Sequence, residues 1–558
     1  MSNSLPFNKN VIKRFFRLAA PLFHSDIKLR AYGLVALILS LSLLSNYIGY
    51  MISYIARDFM NALQTKDHQL FQWKLFEYLM AFVVATPVVV FYSYSEARLK
   101  LMWRRWLSHR ILKRYFNDRA YYRVNLDSTI DNPDQRIEED IARFCDETVM
   151  FFLVAFNSTV QLLLYISLLY SIYWMLLVVA IGYAFMGSLV TSLLGRPLIG
   201  LNFSQFKKEA DYRYKLINVR DSAESIAFHG HEKHEFTRTR QRLKIALTNL
   251  LQVINWNRNL QFFTVPYNYV LAILPTIIVA PLFFKGDIDI GVVIQAGVAF
   301  SFVINALSIV VNHFSTLSVF AATINRLGSF TEALYEPPKV ESKSSEIEVT
   351  LGNALSFDNV TIWTPRREQV LIRELSFKME RSSLLISGPS GSGKSSILRA
   401  IAGLWSSGNG TIVTPDLSGA FFLPQRPYMI LGTLRSQLLY GIRRKAFLDS
   451  ELVAVLEQVR LLEMYHRVGG LNAILDWPNV LGTGEQQRLA FARLLLAKPK
   501  FVFLDESVTA MDQSIAHSLY QLLPNFVERF VSTGDADDLG RFHNHSLRLH
   551  GDGSWRFD

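Results

Sequence analysis

The chain has 558 residues, too many for one hydrophobic core, so at least two domains are expected. Half of the residues are hydrophobic, only 19% are charged and the mean hydropathy is +0.19, a balance that points to a membrane rather than to a soluble chain. The net charge of +11 does not indicate nucleic acid as a partner: the basic residues flank apolar runs, and no RNA- or DNA-binding motif with interleaved aromatics accompanies them.

In chain order, residues 1–30 hold a basic amphipathic segment. Over 9–24, Lys13, Arg14 and Arg17 alternate with Phe15, Phe16 and Leu18, a pattern that suits a helix lying in the membrane interface. The first ten residues lack a basic start followed by an apolar stretch and a cleavage site, so no cleavable signal peptide is expected. A helical transmembrane domain is expected over 31–335. Its six apolar stretches lie near 31–56, 76–97, 149–172, 174–195, 262–284 and 292–318, each long enough to cross roughly 30 Å of hydrocarbon. The third and fourth are separated by little more than Tyr173, which predicts a very tight hairpin. The fifth contains Pro266, Pro275 and Pro281, where kinks are expected.

Basic residues set the orientation. Arg98, Lys100, Arg104, Arg105, Arg110, Lys113, Arg114 and Arg119 follow the second span. Arg196, Lys207, Lys208, Arg213, Lys215 and Arg220 follow the fourth. The opposite loops offer little beyond Lys66, Lys74 and Lys285, so both termini are expected in the cytoplasm. Cys145 is the single cysteine, which excludes an intrachain disulfide and fits cytoplasmic soluble parts.

A polar, Pro- and Ser-rich linker is expected at 336–348. Beyond it, over 349–558, short β-rich runs (SLLISG, AFFLPQ, FVFLDE, RFVSTG) alternate with helical patterns, predicting an α/β domain around a mostly parallel sheet.

Gly388, Pro389, Ser390, Gly391, Ser392, Gly393, Lys394, Ser395 and Ser396 form a P-loop pattern between an apolar strand and a helix. The glycines let successive backbone N–H groups face phosphates, and the next helix aims its positive end at the same anion. Lys394 can reach the β- and γ-phosphates of ATP, and the Ser395 hydroxyl can ligate Mg2+. The strand from Phe501 to Leu504 delivers two acids at its end: Asp505 to hold Mg2+ and Glu506 to polarise the attacking water. Trp363, upstream of the P-loop, is a candidate for stacking on adenine and equally a candidate core residue.

The run Leu481-Gly482-Thr483-Gly484-Glu485-Gln486-Gln487-Arg488 resembles the signature of the ABC transporters. Gln425 in FLPQRPY resembles their Q-loop, and Met511-Asp512 their D-loop. The chain is thereby identified as an ABC half-transporter: an exporter-type bundle of six transmembrane helices fused to an α/β P-loop ATP-binding domain. DNPDQRIEEDI (131–141), the segment from Arg220 to Phe228 and LPQRPYMILGTLRSQLLY resemble one branch more narrowly. It contains SbmA/BacA-like transporters with a fused ATPase, a mycobacterial cobalamin-type importer, YddA-like bacterial proteins and the peroxisomal subfamily D acyl transporters.

The resemblance implies a homodimer, or a pair with a related half-transporter, in a bacterial inner membrane. ATP would be sandwiched between one subunit's P-loop and the other's signature, Gly482, Thr483, Gly484 and Glu485. It also implies a role for Gln425 at both Mg2+ and the attacking water, and docking of the Arg220–Phe228 segment on the ATPase domain. The implied substrates are peptides, cobalamin-like or other large hydrophilic compounds, taken up at the cost of ATP.

Two positions depart from the family. Gly482 replaces a serine whose hydroxyl would reach the γ-phosphate. Asp535, in Ser532-Thr533-Gly534-Asp535, replaces a histidine that would donate to the same phosphate; an ionised carboxylate only accepts. Slow hydrolysis with nucleotide binding intact is the expectation. An ion-coupled transporter with a regulatory nucleotide site, using Glu77 or Glu96, and a weakly hydrolysing heterodimer subunit remain alternatives.

Overall fold

The computed structural model describes residues 9–126, 130, 132–309, 313–335, 346–352, 354–364, 367–379, 382–442 and 446–558. Outside them lie most of the expected linker, positions 1–8 of the stretch read for a signal peptide, Asp131, and positions 310–312 of the sixth expected span. The chain separates into two compact units, one within residues 1–339 and one within 340–558.

The first unit is helical. Helix α1 (Lys9–Ala19) is followed by α2 (Lys28–Gln64), α3 (His68–Phe116), α4 (Ile141–Ile172), α5 (Trp174–Asp221), α6 (Ala223–His229), α7 (Glu232–Lys285), α8 (Ile290–Leu307) and α9 (Phe314–Tyr335). Six helical stretches among the described residues, built on α2, α3, α4, α5, α7 and α8, are long and apolar enough to cross a membrane. Tyr173 alone, extended at φ −163° and ψ 117°, separates α4 from α5. That single non-helical residue makes the tight hairpin the sequence called for.

Helices α5 and α7 have 48 and 54 residues. At 1.5 Å per residue they reach about 70 and 80 Å, so their polar halves continue well past any bilayer. Helix α7 runs on through Pro266, Pro275 and Pro281. The two helices are clasped where the Tyr183 and Tyr267 rings stack 4.3 Å apart. Each hydroxyl donates to the other residue's backbone carbonyl, at 2.7 and 3.2 Å. Gly187 makes room for this, since a Cβ there would come within 2.4 Å of the Tyr267 ring.

Amide side chains tie α2, α3 and α4 together inside the apolar region. Asn157 accepts from Ser42 and Asn46 and donates to the Tyr92 hydroxyl, while Gln161 donates to Asn46. Such bonds hold helices together where no water competes. Glu77 is paired with Lys74 at 2.9 Å and Glu96 with Lys100 at 2.6 Å.

Helix α1 packs on α9. Arg14 forks onto Glu332 at 3.2 and 2.7 Å and also donates to Asn325, and Arg17 reaches the same carboxylate at 3.0 Å. Gly328 lies under the Arg14 stem, where a Cβ would meet it at 2.6 Å. Ahead of α4, a π-helical turn spans Arg136–Asp140. It buries Arg136, which donates to the Arg326 carbonyl and the Ser329 hydroxyl of α9.

The second unit is α/β. A six-stranded sheet has the order β10-β9-β4-β8-β7-β6, with β4 (Leu384–Ser387), β6 (Ala420–Leu423), β7 (Phe501–Asp505), β8 (Arg529–Thr533), β9 (His545–Leu549) and β10 (Trp555–Phe557). Strands β4, β6, β7 and β8 are the four β-rich runs read from the sequence. They are mutually parallel, and only β10 pairs antiparallel. Alternate residues of β7 feed two cores: Phe501 and Phe503 on one face, Val502 and Leu504 on the other. That is why the strand is apolar throughout. A second sheet, not foreseen, has the order β1-β5-β2-β3, from β1 (Glu348–Leu351), β2 (Leu355–Trp363), β3 (Val370–Met379) and β5 (Gly408–Thr414).

Candidate nucleotide-binding site

Strand β4 is fully buried between β8 and β9, and the chain leaves its end through Gly388 at φ 147°. A Cβ at Gly388 would lie 2.4 Å from the Leu549 carbonyl oxygen, so only glycine fits this exit. Gly391 and Gly393 also take positive φ, and helix α10 (Lys394–Ile401) starts directly after them. The loop therefore curls around the helix start as the pattern requires. Lys394 Nζ folds back onto the Gly388 and Pro389 carbonyls at 2.8 and 3.3 Å. Ser392 is buried in the loop, and its hydroxyl has no hydrogen-bond partner among the described residues. A buried hydroxyl without a partner costs free energy. Together with the left-handed glycines, it suits a loop that receives phosphate oxygens.

The acids of β7 close on this loop. The Ser395 hydroxyl donates to Asp505 Oδ1 at 2.8 Å. Lys394 Nζ lies 3.4 Å from Glu506 Oε1, and Gln425 Nε2 donates to Glu506 Oε2 at 3.1 Å. Lys394, Ser395, Gln425, Asp505 and Glu506, five positions spread over more than a hundred residues, thus meet within the reach of side-chain contacts. Hydroxyl, carboxylate and amide oxygens are the hard donors Mg2+ takes, so the residues fit the metal expected with ATP. Glu506 has φ 45°, a left-handed conformation uncommon for a residue with a side chain. Strain of this kind concentrates at functional sites.

The signature residues stand apart from this cluster. Helix α11 (Thr483–Ala497) begins after Gly482, whose N–H donates to Glu485 Oε2 at 3.1 Å. Arg467 holds both oxygens of Glu485 at 2.9 Å. Gly484 abuts the Ala510 carbonyl, which a Cβ would approach to 2.4 Å, whereas a Cβ at Gly482 would meet only Glu485 Oε2, at 3.9 Å. Thr483 is exposed. Among the described residues no hydrogen bond joins 482–485 to the P-loop.

Trp363 ends β2, pairs with Val370 of β3, and carries the Arg367 guanidinium 5.4 Å from its ring centroid. It is half-buried, so one part packs and the rest is available. Asp535 accepts from the Asp537 N–H at 3.1 Å, capping the short helix α12 (Ala536–Leu539). His543, further along the chain, is half-buried. It bonds to the Ser532 hydroxyl at 3.0 Å and the Leu539 carbonyl at 2.9 Å. Ser532 and Thr533 alternate across β8, so His543 faces away from Asp505.

Two residues that sequence reasoning passed over belong to the same neighbourhood. Thr533 stands opposite Asp505 in the β7–β8 register and bonds to it at 2.9 Å. Gln487 is buried in α11 and bridges two loops. The end of a parallel strand beside the acid-bearing strand was a usable signal for Thr533. Gln487 lies in the signature run, but no local signal marks its bonds to the two loops.

A parallel sheet with a phosphate-type loop, beside a strand ending in paired acids and joined to a helical unit with six potential spans, defines a membrane protein with a P-loop ATPase. Comparison with known proteins narrows this. Residues 18–284 match the family described as ABC transporter transmembrane region 2, and residues 372–509 match the ABC transporter family. The chain is 41% identical over 534 residues to an uncharacterised ABC transporter ATP-binding protein of Synechocystis, covering 94% of this chain and 81% of the relative. It is 30% identical over 585 residues to the human lysosomal cobalamin transporter of subfamily D, covering 98% and 95%. In fold it is similar to a bacterial Atm1-family ABC exporter with ATP bound, with a TM-score of 0.73 over 95% of both chains at 15% identity. The chain belongs to the ABC transporters. It is a multi-pass half-transporter with a fused ABC-type ATPase, related to subfamily D and to its bacterial homologues.

Proposed function

We propose that two copies of this chain, or one copy with a related half-transporter, form an ATP-driven importer of large hydrophilic compounds in a bacterial inner membrane, with both termini in the cytoplasm and the domains divided at 30/31, 335/336 and 348/349. The convergence of Lys394, Ser395, Gln425, Asp505 and Glu506 on a chain with six potential spans carries the reading. The likeness to a transporter named for cobalamin supports a cobalamin-sized cargo, and the SbmA/BacA-like motifs support peptides as the other class.

Bound ATP supplies the free energy, and Mg2+ neutralises charge on its phosphates. The chain's own part is to hold and position them. The P-loop, residues 388–396, binds the phosphates through the N–H groups of every residue but Pro389 and through the Lys394 ammonium, with Trp363 beside the adenine. Ser395, Asp505 and Gln425 supply oxygens for the metal. Glu506, released from Lys394, takes a proton from the attacking water. Gly482, Thr483, Gly484 and Glu485 of the second subunit close the site. Closure of the two ATPase domains then drives the helix bundle between its inward- and outward-open states.

Asp535 sets the rate. Its carboxylate caps its own helix and offers the γ-phosphate no donor, so hydrolysis is slow while nucleotide binding is retained. The test is ATP turnover of the purified chain in lipid nanodiscs beside Glu506→Gln and Asp535→His. Turnover that is slow, abolished by Glu506→Gln and raised by Asp535→His supports the reading. Turnover unaffected by Glu506→Gln removes it.

A further inference from the structure

We infer that Thr533 is a positioning residue of the hydrolytic site: its hydroxyl fixes the carboxylate of Asp505 for the metal and the backbone of Glu506 for the attacking water. The inference rests on the roles proposed above for those two acids.

A hydroxyl carries one hydrogen and two lone pairs. Thr533 uses both kinds, donating to Asp505 Oδ1 at 2.9 Å and accepting from the Glu506 N–H at 2.9 Å. Its side chain is almost wholly buried, so water does not compete for either bond. Strand β8 lies between β4, which leads into the P-loop, and β7, which bears the acids. Thr533 is in register with Ile386 on one side and Asp505 on the other. It therefore occupies the midpoint of the site's floor, between the strand that leads into the P-loop and the strand that bears the acids.

The consequences follow from the lone pairs. Asp505 Oδ1 receives two hydroxyl donors, Ser395 and Thr533. When Ser395 turns its oxygen to a divalent cation, Thr533 still holds Oδ1. The carboxylate then keeps its rotation, and Oδ2, which has no hydrogen bond among the described residues, keeps a fixed position. At Glu506 the φ of 45° bends the chain off the strand, and the Thr533 oxygen accepts the N–H that this bend turns inward. Valine has the same shape and neither function. Serine keeps both.

The experiment uses the full chain in nanodiscs, with Thr533→Val, Thr533→Ala and Thr533→Ser. Mn2+ binding is followed by electron paramagnetic resonance with ATP present, on a Glu506→Gln background so that nothing is consumed. ATP binding is measured separately in EDTA. We expect Thr533→Val to weaken Mn2+ about tenfold while leaving metal-free ATP affinity unchanged, the effect of losing one hydrogen bond to a charged group. In the Glu506 chain, kcat should fall about tenfold at unchanged ATP KM and more Mg2+ should be needed, with Thr533→Ser within about twofold of the parent. If Thr533→Val does not purify, Thr533→Ala makes the same comparison. Parental Mn2+ affinity in the valine and alanine variants overturns the inference, as does a serine variant as impaired as valine, which would mean packing alone. Should Glu506→Gln turn over like the parent, the hydrolytic reading fails, and the Mn2+ titration still decides Thr533.

Discussion

The side-chain amide of Gln487 donates to the backbone carbonyl of Gln425 at 3.0 Å, and its own oxygen accepts the Ala510 N–H at 3.1 Å. One buried side chain in the signature helix thus fixes the loop that brings Gln425 to Glu506 and the loop that follows the two acids. Replacing it with leucine keeps the volume and removes both bonds, at a cost of about 0.5–1.5 kcal/mol each. We expect Gln487→Leu to melt earlier and to lose turnover about tenfold or more, with ATP affinity preserved. Calorimetry and turnover on the same preparation check both.

The two signature glycines make opposite predictions. Gly484→Ala drives a methyl into the Ala510 carbonyl and should abolish turnover while shifting the loop. Gly482→Ser adds a side chain at a helix N-cap where a Cβ makes only an ordinary 3.9 Å contact with Glu485 Oε2, and should leave the melting temperature unchanged or raise stability by a few tenths of a kcal/mol. Restoring a hydroxyl there should also raise turnover, measured beside Asp535→His.

His543 predicts an acid-sensitive ATPase unit. Burial pushes its imidazole down to about 4, below the usual value near 6.5. The unfolded chain then binds the proton more readily, so the stabilisation is complete above about pH 6.5 and is lost as pH falls towards 4, to a total of about 2–3 kcal/mol. His543→Gln cannot titrate. Its melting temperature should be lower at neutral pH, and flatter between those limits, than that of the parent.

Glu332 predicts a second loss at lower pH, in the helical unit. Its hydrogen bonds from Arg14, with the charges of Arg14 and Arg17 beside it, hold its carboxyl below the usual range. A depressed carboxylate stabilises above its unfolded pKa of about 4.3 and stops doing so as pH falls through the folded value. The pair is partly exposed, so the contribution stays near about 1 kcal/mol. Glu332→Gln should release α1, detected as faster proteolysis near Arg14 and Arg17 at neutral pH.

Much of this architecture could be read along the chain because each signal was local. The P-loop declares itself by glycines in register between an apolar strand and a helix. Tyr173 stood out as the only break in a long apolar stretch, and the four parallel strands as apolar runs. What was hidden depends on residues far apart. Gln487 meets Gln425 across 62 positions, and Thr533 meets Asp505 across 28. The antiparallel sheet of β2 and β3 carries register shifts that blur its alternation. The burial of Arg136 against α9 depends on a π-helical turn that no residue pattern announces.

The Tyr183–Tyr267 clasp makes α5 and α7 a single lever. Two stacked rings and two crossed hydrogen bonds, with no side chain at Gly187 to wedge them apart, resist sliding along the axis as well as separation. Tilting a rod of about 80 Å by about 5° sweeps its far tip through about 7 Å. A small torque on the polar ends of these helices therefore reaches the opposite end as one shared displacement of both.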